Sequence, residues 1–190
     1  MATPGFTLFD TAIGRCGVIW GEHGIRGVQL PEADESKTRA RIRRRFPRAI
    51  EASPPPDVLN AIKAINTLLR GQPSDLRAIT LDMTRVPAFE RNVYEAARTI
   101  SPGATLTYGE LAARVGEPGA AREVGQALGH NPFAIIVPCH RVLAAGGKIG
   151  GFSANGGVAT KRRLLAIEAA QAKGEPTLFD WNSRAPDPAG

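Results

Sequence analysis

The chain has 190 residues, a mass of 20.2 kDa, a net charge of +6 and a pI of about 9.9. With 43% hydrophobic and 22% charged residues, it has the composition of a globular protein and can bury one good core or two small ones. No apolar run reaches the roughly 18 residues that a membrane span needs, and the N-terminus lacks a signal-peptide pattern, so we expect a cytoplasmic protein. The basic balance permits a nucleic acid or another polyanion as partner without requiring one.

The two cysteines, Cys16 and Cys139, lie far apart in the sequence and in unlike surroundings. This pattern excludes a disulfide framework and a zinc site built from cysteine pairs. Only three histidines are present, and a four-ligand metal site would need nearly every candidate ligand to converge. We therefore expect no metal. A function that depends on a single reactive cysteine remains possible.

The first half of the chain reads as short strands followed by helices. Short β-type runs separated by glycines predict an antiparallel meander over Phe6–Asp10, Arg15–Trp20 and Gly24–Leu30. Helices are expected over Glu32–Phe46 and Val58–Leu69, and one more strand over Leu76–Met83. A boundary is expected near Arg85-Val86-Pro87, beyond which the pattern becomes helical.

The expected helix over Glu32–Phe46 and the residues after it carry many arginines on the polar face: Arg39, Arg41, Arg43, Arg44, Arg45 and Arg48. Such a run is compatible with nucleic-acid binding or with a solvated helix face. The solvated face is the favoured interpretation, because no aromatic residues interleave for stacking.

Two short helices are expected in the second half. Thr107 and Glu110 form a capping box that opens a helix ending at Val115, and a second helix runs over Ala120–Leu128. Two helices joined by a glycine-containing turn have helix-turn-helix geometry, although any helical hairpin gives the same pattern. The outer face of the second helix carries Arg122 among small residues that include Ala121 and Gly125. Small residues there are explained by close approach to DNA or, equally, by tight packing on a neighbouring helix.

A buried apolar run, Phe133–Val137, leads into Pro138-Cys139-His140-Arg141. A thiol must become a thiolate to attack, and here an imidazole and a guanidinium follow it directly. The alternative is a structural buried cysteine beside an incidental histidine. The glycine-rich segment that follows could wall a flat pocket.

Glu168 shares a face of the closing helix with Leu164 and Leu165. A carboxylate on an apolar face is costly to bury unless it has a partner. Two interpretations remain: the side chain reaches water at the edge of the stripe, or it orients His140 as an acid orients the histidine of a catalytic triad.

The Pro138–Arg141 motif, with Gly129-His130-Asn131-Pro132 before it and Lys161–Leu165 after it, resembles the O6-alkylguanine-DNA alkyltransferases. These are the suicidal repair proteins called methylated-DNA–protein-cysteine methyltransferases. The resemblance is strong from Val86 to Ala170 and weaker over residues 1–85. It implies an α/β (α+β) fold with a small mixed α/β N-terminal domain over 1–85. A helical DNA-binding and alkyl-transfer domain with a winged-helix-like helix-turn-helix would follow over 86–172, and then a tail over 173–190.

The resemblance also implies residue roles. Cys139 would accept the alkyl group, His140 would take its proton through a water, Glu168 would orient the histidine, and Tyr108 would protonate or hydrogen-bond the departing guanine. The implied DNA-binding set is Arg122, which would enter the duplex, with Asn131, Arg141, Ala121 and Gly125. Within that set, Asn131 would brace the turn before the cysteine and Arg141 would be a structural contact beside it. The implied substrate pocket is Phe152, which stands where many members have tyrosine, with Ser153, Gly151 and Val142.

The implied function is repair of O6-alkylguanine, with O4-alkylthymine open, in double-stranded DNA by a monomer that uses no cofactor. Three other functions stay open at this point. They are a non-catalytic lesion binder, a transcription regulator and a cysteine hydrolase. Against the first, the lesion-binding relatives replace the cysteine that is present here. Against the second, a transcription regulator would have no use for Cys139. A cysteine hydrolase would differ by showing repeated turnover.

Overall fold

A computed structural model of the chain describes residues 3–173 and shows a mixed α/β fold. The tail expected over 173–190 therefore lies, after its first residue, outside the described residues. The main sheet has the order β3-β2-β1-β4. Its strands are β1 (Gly5–Thr11), β2 (Gly14–Gly21), β3 (Gly24–Gln29) and β4 (Ile50–Glu51). The first three strands are antiparallel neighbours, so the predicted meander is confirmed, and β4 pairs parallel with β1.

Helix α1 (Glu35–Arg45) covers one face of the sheet. Its Ile42 is fully buried with Phe6 and Ile19, and a side chain at Gly17 would collide with Ile42, so the close approach needs glycine. The helix begins three residues later than predicted because Asp34 is the N-cap and accepts a hydrogen bond of 2.8 Å from the backbone of Lys37.

The other face packs against α2 (Pro56–Leu69) and against the second half of the chain. One buried cluster joins both halves and includes Val18, Val28, Ile65, Val93, Phe133 and Leu164. The core is thus continuous across the boundary expected near residue 85.

The strand predicted over Leu76–Met83 is wrong. Only Leu81 forms a bridge, with Ile25 of β3. The Arg98 guanidinium instead binds three backbone carbonyls of this segment at 2.7–3.0 Å, those of Leu76, Arg77 and Ile79. A strand ladder would need the same carbonyl groups, so the arginine replaces it.

The second half is mainly helical. It contains α3 (Ala88–Arg98), β5 (Leu106–Thr107), α4 (Tyr108–Arg114), α5 (Ala121–Gly129), β6 (Val142–Leu143) and α6 (Gly157–Lys173). The predicted capping box of Thr107 and Glu110 is confirmed at the start of α4, and β5 pairs parallel with β6. Within residues 3–173, none of the helices combines the length and the apolar character needed to cross a membrane.

The segment after α5 ties the cysteine to the sheet. The Val28 amide of β3 donates to the Pro132 carbonyl at 2.8 Å, and Val28 bridges Phe133. The chain then turns at Ile135, whose φ of 73° is unusual for a β-branched residue. This turn delivers the chain into a short 3₁₀ helix over Cys139–Arg141.

Candidate active site

The Cys139 thiol lies at the wall of a cavity of about 300 Å³. The residue is half-buried, whereas the apolar run before it is mostly buried, so the chain emerges from the core at the thiol. The cavity wall includes Leu128, Asn131, Phe152 and Ser153. A volume near 300 Å³ is at the lower end of the range usual for small-molecule pockets.

Behind the thiol, His140, Arg141 and Glu168 form a buried network. Oε1 of Glu168 lies 2.8 Å from Nε2 of His140, and the Arg141 guanidinium donates to both carboxylate oxygens at 2.8 Å. Burial alone would raise the pKa of Glu168, but the hydrogen bonds and charges of His140 and Arg141 hold that pKa at about 2. The carboxylate is therefore ionised at neutral pH.

An ionised carboxylate can only accept, so Nε2 of His140 is the donating nitrogen. The other ring nitrogen, Nδ1, is buried and has no hydrogen-bond partner among the described residues. With Nε2 donating to Glu168, Nδ1 is the ring nitrogen left to accept a proton. Among the described residues, the His140 ring forms no direct hydrogen bond with Cys139.

The prediction that Arg141 contacts DNA is wrong. The residue is only 5% exposed, and besides Glu168 its guanidinium binds the backbone carbonyl of Ile100. Its side chain is fully engaged inside the protein and cannot reach a phosphate. Within the described residues, Arg141 contacts Glu168 and the Ile100 carbonyl.

Burial raises the pKa of the Cys139 thiol above its ordinary value. The Asn131 amide and the Lys161 ammonium act in the opposite direction, as do nearby backbone amides. The resting cysteine is therefore a thiol that needs a base rather than a preformed thiolate.

Lys161 is a site residue that the sequence reasoning did not single out. It is fully buried, and its Nζ donates to the Val142 carbonyl at 2.7 Å and the Gly151 carbonyl at 3.4 Å. The same ammonium lies 5.7 Å from the centre of the Tyr108 ring. Lys161 lies seven residues before Glu168 on the same helix face. A second charged residue on this apolar stripe is the sequence feature that could have identified Lys161.

Tyr108 is the first residue of α4, directly after the Thr107 cap. Its ring faces Gly125 of α5 and Gly150 of the glycine-rich loop. Burial raises the pKa of Tyr108, and the nearby Cys139 adds to this effect. The phenol therefore stays protonated at neutral pH and can donate a hydrogen bond.

Asn131 braces the turn before the cysteine. Its Nδ2 donates to the Val137 carbonyl at 3.0 Å, and its Oδ1 accepts from the Phe133 amide at 2.9 Å. These two bonds close the segment that carries the thiol. In the described structure Asn131 is thus a scaffold residue that also lines the cavity.

Two of the four expected pocket residues line the cavity. Phe152 is half-buried there, and Ser153 Oγ donates to the Gly129 carbonyl at the end of α5 at 3.2 Å. Gly151 is exposed beside them. The expectation for Val142 is wrong, because its side chain is fully buried, it does not line the cavity, and its carbonyl accepts from Lys161.

The outer face of α5 is exposed at Arg122, and no carboxylate of the described residues forms an ion pair with it. Ala121 and Gly125 are half-buried. A Cβ at Gly125 would lie 3.9 Å from the Tyr108 ring, which is ordinary contact. Internal packing therefore does not require glycine at this position.

Three comparisons with known proteins give consistent relatives of this chain. Residues 88–170 match the family model described as 6-O-methylguanine DNA methyltransferase, DNA binding domain. The methylated-DNA–protein-cysteine methyltransferase of Mycobacterium bovis is 46% identical over 120 residues, which cover 63% of this chain and 70% of that protein. The enzyme of the same name from Methanothermobacter thermautotrophicus is 33% identical over 159 residues, covering 84% and 82%. The crystal structure of Mycobacterium tuberculosis OGT in complex with DNA superposes with a TM-score of 0.71 at 34% identity, covering 93% of this chain and 99% of that one.

Proposed function

Because the chain belongs to the family of methylated-DNA–protein-cysteine methyltransferases, we propose that it repairs O6-alkylguanine in double-stranded DNA by moving the alkyl group onto Cys139. The observation that carries this proposal is a half-buried cysteine that lines a cavity, followed in sequence by His140, which is hydrogen-bonded to a buried Glu168. The thioether product is not readily cleaved by water. Each chain therefore acts once.

His140 serves as the base in this proposal. Its Nδ1 takes the thiol proton through a bridging water, while Nε2 stays bonded to Glu168. The Glu168 carboxylate stabilises the imidazolium that forms, and Arg141 keeps that carboxylate ionised and in place. The sulfur then attacks the alkyl carbon as a thiolate, even though burial raises the resting pKa of the thiol.

The leaving group needs its own stabilisation. As the sulfur–carbon bond forms, the carbon–oxygen bond breaks and negative charge develops on the guanine. Tyr108 donates its phenolic proton or a hydrogen bond to that base, and the proton is replaced through solvent as His140 gives up its own. Phe152 and Ser153 hold the base in the cavity.

A base inside a duplex cannot reach this cavity, so the nucleotide must be rotated out of the stack. Arg122 fills the vacated position, and Ala121 and Gly125 let α5 approach the DNA. In this proposal α4 and α5 form a helix-turn-helix within a winged-helix-like domain over 86–172, and the protein acts as a cytoplasmic monomer. The family model over 88–170 supports the DNA-binding assignment.

The non-catalytic alternative is not favoured, since Cys139 is present and is supported by the buried network. Intact-mass spectrometry after incubation with a duplex carrying O6-methylguanine tests the proposal. We expect a gain of one methyl group per chain and no further gain, with peptide mapping placing it on Cys139.

Two variants serve as controls for that experiment. Cys139→Ser should abolish the gain while keeping DNA binding, because a serine hydroxyl is far less acidic than a thiol. Cys16→Ser should leave the gain intact, because Cys16 is fully buried and its pKa is raised to about 12. Modification mapped to Cys16, or repeated turnover, would overturn the proposal.

A further inference from the structure

The arginine-rich face of α1 consists of two different groups. Arg39 lies 2.8 Å from both Glu35 and Glu51, and Arg43 and Arg41 lie 3.9 Å and 3.6 Å from Glu51 and Glu32. These arginines are paired within the protein. They account for the solvated helix face that the sequence favours.

The other arginines of this stretch, Arg44, Arg45 and Arg48, are different, and of these Arg44 does not line the cleft described next. Arg45 and Arg48 form no ion pair with any carboxylate of the described residues, and the same holds for Arg85, which precedes α3. These three side chains and Arg26 of β3 line a cleft of about 530 Å³ around Phe46, which we call the arginine cleft. Arg26 alone has an acidic partner, Asp82 at 3.5 Å.

Helix stability does not explain this convergence. Basic residues in the last turn of α1 favour its C-terminal dipole, which accounts for Arg45. Arg26 and Arg85 come from other elements and gain nothing from that dipole. Partial burial lowers the pKa of Arg45, and the neighbouring Arg41 lowers it further, so an anion in the cleft would relieve repulsion.

Phosphate is the anion that fits this chemistry. Guanidinium groups bind phosphate oxygens through two parallel hydrogen bonds, and several on one surface suit a repeating phosphate chain. The Arg45 guanidinium lies 5.6 Å from the centre of the half-buried Phe46 ring and donates a hydrogen bond to Oε1 of Gln29 at 3.1 Å, so two contacts position it. The cleft therefore combines two arginines that have no carboxylate partner among the described residues, Arg48 and Arg85, with the guanidinium of Arg45 held in place beside them.

The arginine cleft adjoins the active site. Arg45 lines both the cleft and the Cys139 cavity, and Arg41 lines the cavity as well. Arg45 is thus the point at which the arginine cleft meets the cavity that would take the rotated base. From this continuity we propose that the arginine cleft binds phosphates of the DNA strand that flanks the rotated nucleotide, as a second DNA-contacting surface besides α5. The proposal rests on the proposed function for its partner.

The test compares two double variants of equal charge change. Arg48→Gln with Arg85→Gln removes two free arginines of the cleft, and Arg43→Gln with Arg77→Gln removes two exposed arginines that are paired with Glu51 and Asp75. Both lower the net charge from +6 to +4. The affinity for an unmodified duplex is measured over a range of salt concentrations.

The cleft variant should bind about 10-fold more weakly at low salt. Its slope of log affinity against log salt should be smaller by about 1.8, since each lost phosphate contact contributes about 0.9. The paired-arginine variant should keep the wild-type slope. Equal losses in both variants, or no loss in the cleft variant, would overturn the proposal.

Alkyl transfer from free O6-methylguanine separates this proposal from the proposed function. The cleft variant should react with the free base at the wild-type rate, because that substrate has no phosphate. If the wild type transfers no alkyl group from either substrate, the proposed function fails. The salt slopes still decide whether the cleft contacts DNA.

Discussion

At the scale of single residues, Glu168 links the two residues that follow the cysteine, because its carboxylate accepts hydrogen bonds from both His140 and Arg141. The sequence placed a carboxylate on an apolar stripe but could not show two partners. With His140 as its only partner, the Glu168 carboxylate would serve to orient the imidazole. With Arg141 as a second partner, it also neutralises a buried guanidinium that would otherwise be unpaired.

We expect Glu168→Gln to lower the free energy of unfolding by about 3 kcal/mol at pH 7, because it leaves Arg141 buried without a counter-charge. Folding lowers the pKa of Glu168 from 4.5 to about 2. This stabilisation is therefore fully present above pH 4.5 and is lost as the pH falls towards 2. Urea unfolding at pH 7 and pH 3 should show the gap between wild type and variant narrowing at the lower pH.

The exposed Glu117 in the turn between α4 and α5 provides the control. Glu117→Gln should change stability by less than about 0.5 kcal/mol at either pH. A Glu168→Gln protein as stable as the wild type at pH 7 would mean that Arg141 finds another partner.

Lys161 contributes to the electrostatics of the thiol, after burial and the hydrogen bond of Asn131. Its ammonium lowers the pKa of Cys139 against the effect of burial. We expect Lys161→Met to raise the pKa of the Cys139 thiol. The rate of Cys139 alkylation by iodoacetamide rises with pH as the thiol ionises, and the midpoint of that rise should lie at a higher pH in the variant. The measurement is the alkylation rate between pH 6 and 10, followed by peptide mass.

Arg162→Gln removes one charge from the exposed neighbouring position of α6 and should leave the midpoint unchanged. If the Lys161→Met midpoint stays at the wild-type value, Lys161 acts only as a hydrogen-bond donor to the Val142 and Gly151 carbonyls.

At the scale of elements, the turn between α5 and the 3₁₀ helix decides where the thiol lies. Ile135 has a positive φ, a conformation that costs on the order of 1–3 kcal/mol. The Asn131 bonds to Phe133 and Val137 and the backbone bond from Val28 hold the turn in that shape. The surrounding elements thus impose the conformation that brings Cys139 to the cavity.

Helix α5 presents Arg122 on its exposed face, and Arg122 does not line the Cys139 cavity. If Arg122 fills the stack after the nucleotide rotates, Arg122→Ala should slow repair of duplex DNA at least 10-fold and leave the reaction with the free modified base unchanged. Single-turnover rates on the two substrates give the comparison.

Arg70→Ala is the matched control, since Arg70 is an exposed arginine at the end of α2. It should affect neither substrate strongly. An equal loss on both substrates in Arg122→Ala would mean that the residue supports the fold of the site and not nucleotide rotation.

At the scale of the whole molecule, the sequence predicted what local patterns determine. The short β-type runs separated by glycines and the Thr107 cap depend on residues close in sequence, and the structure confirms the meander and the capping box that they predict. The failure over Leu76–Met83 came from Arg98, about twenty residues away, whose guanidinium replaces the strand ladder. Pairing over such distances leaves no periodic signal in the sequence.

The candidate site shows the same limit. Neighbours of Cys139 in the sequence were identified, as was Glu168 by its place on a helix stripe. The burial of Arg141 and the convergence of Arg26, Arg45 and Arg85 depend on contacts between distant segments. Only the folded chain shows which arginines are paired.

Val28 tests whether the two halves unfold together. It is 1% exposed, belongs to the shared buried cluster and joins β3 to the segment before the cysteine. Val28→Ala should lower the free energy of unfolding by about 2 kcal/mol through lost burial and a small cavity. Because the core is continuous, native-state hydrogen exchange should show the same loss of protection in the β1–β3 strands and in helices α3–α6. The control is Leu59→Ala, at an exposed position of α2, which should leave protection in both regions unchanged. If Val28→Ala lowers protection only in the strands, residues 1–85 form an independent folding unit.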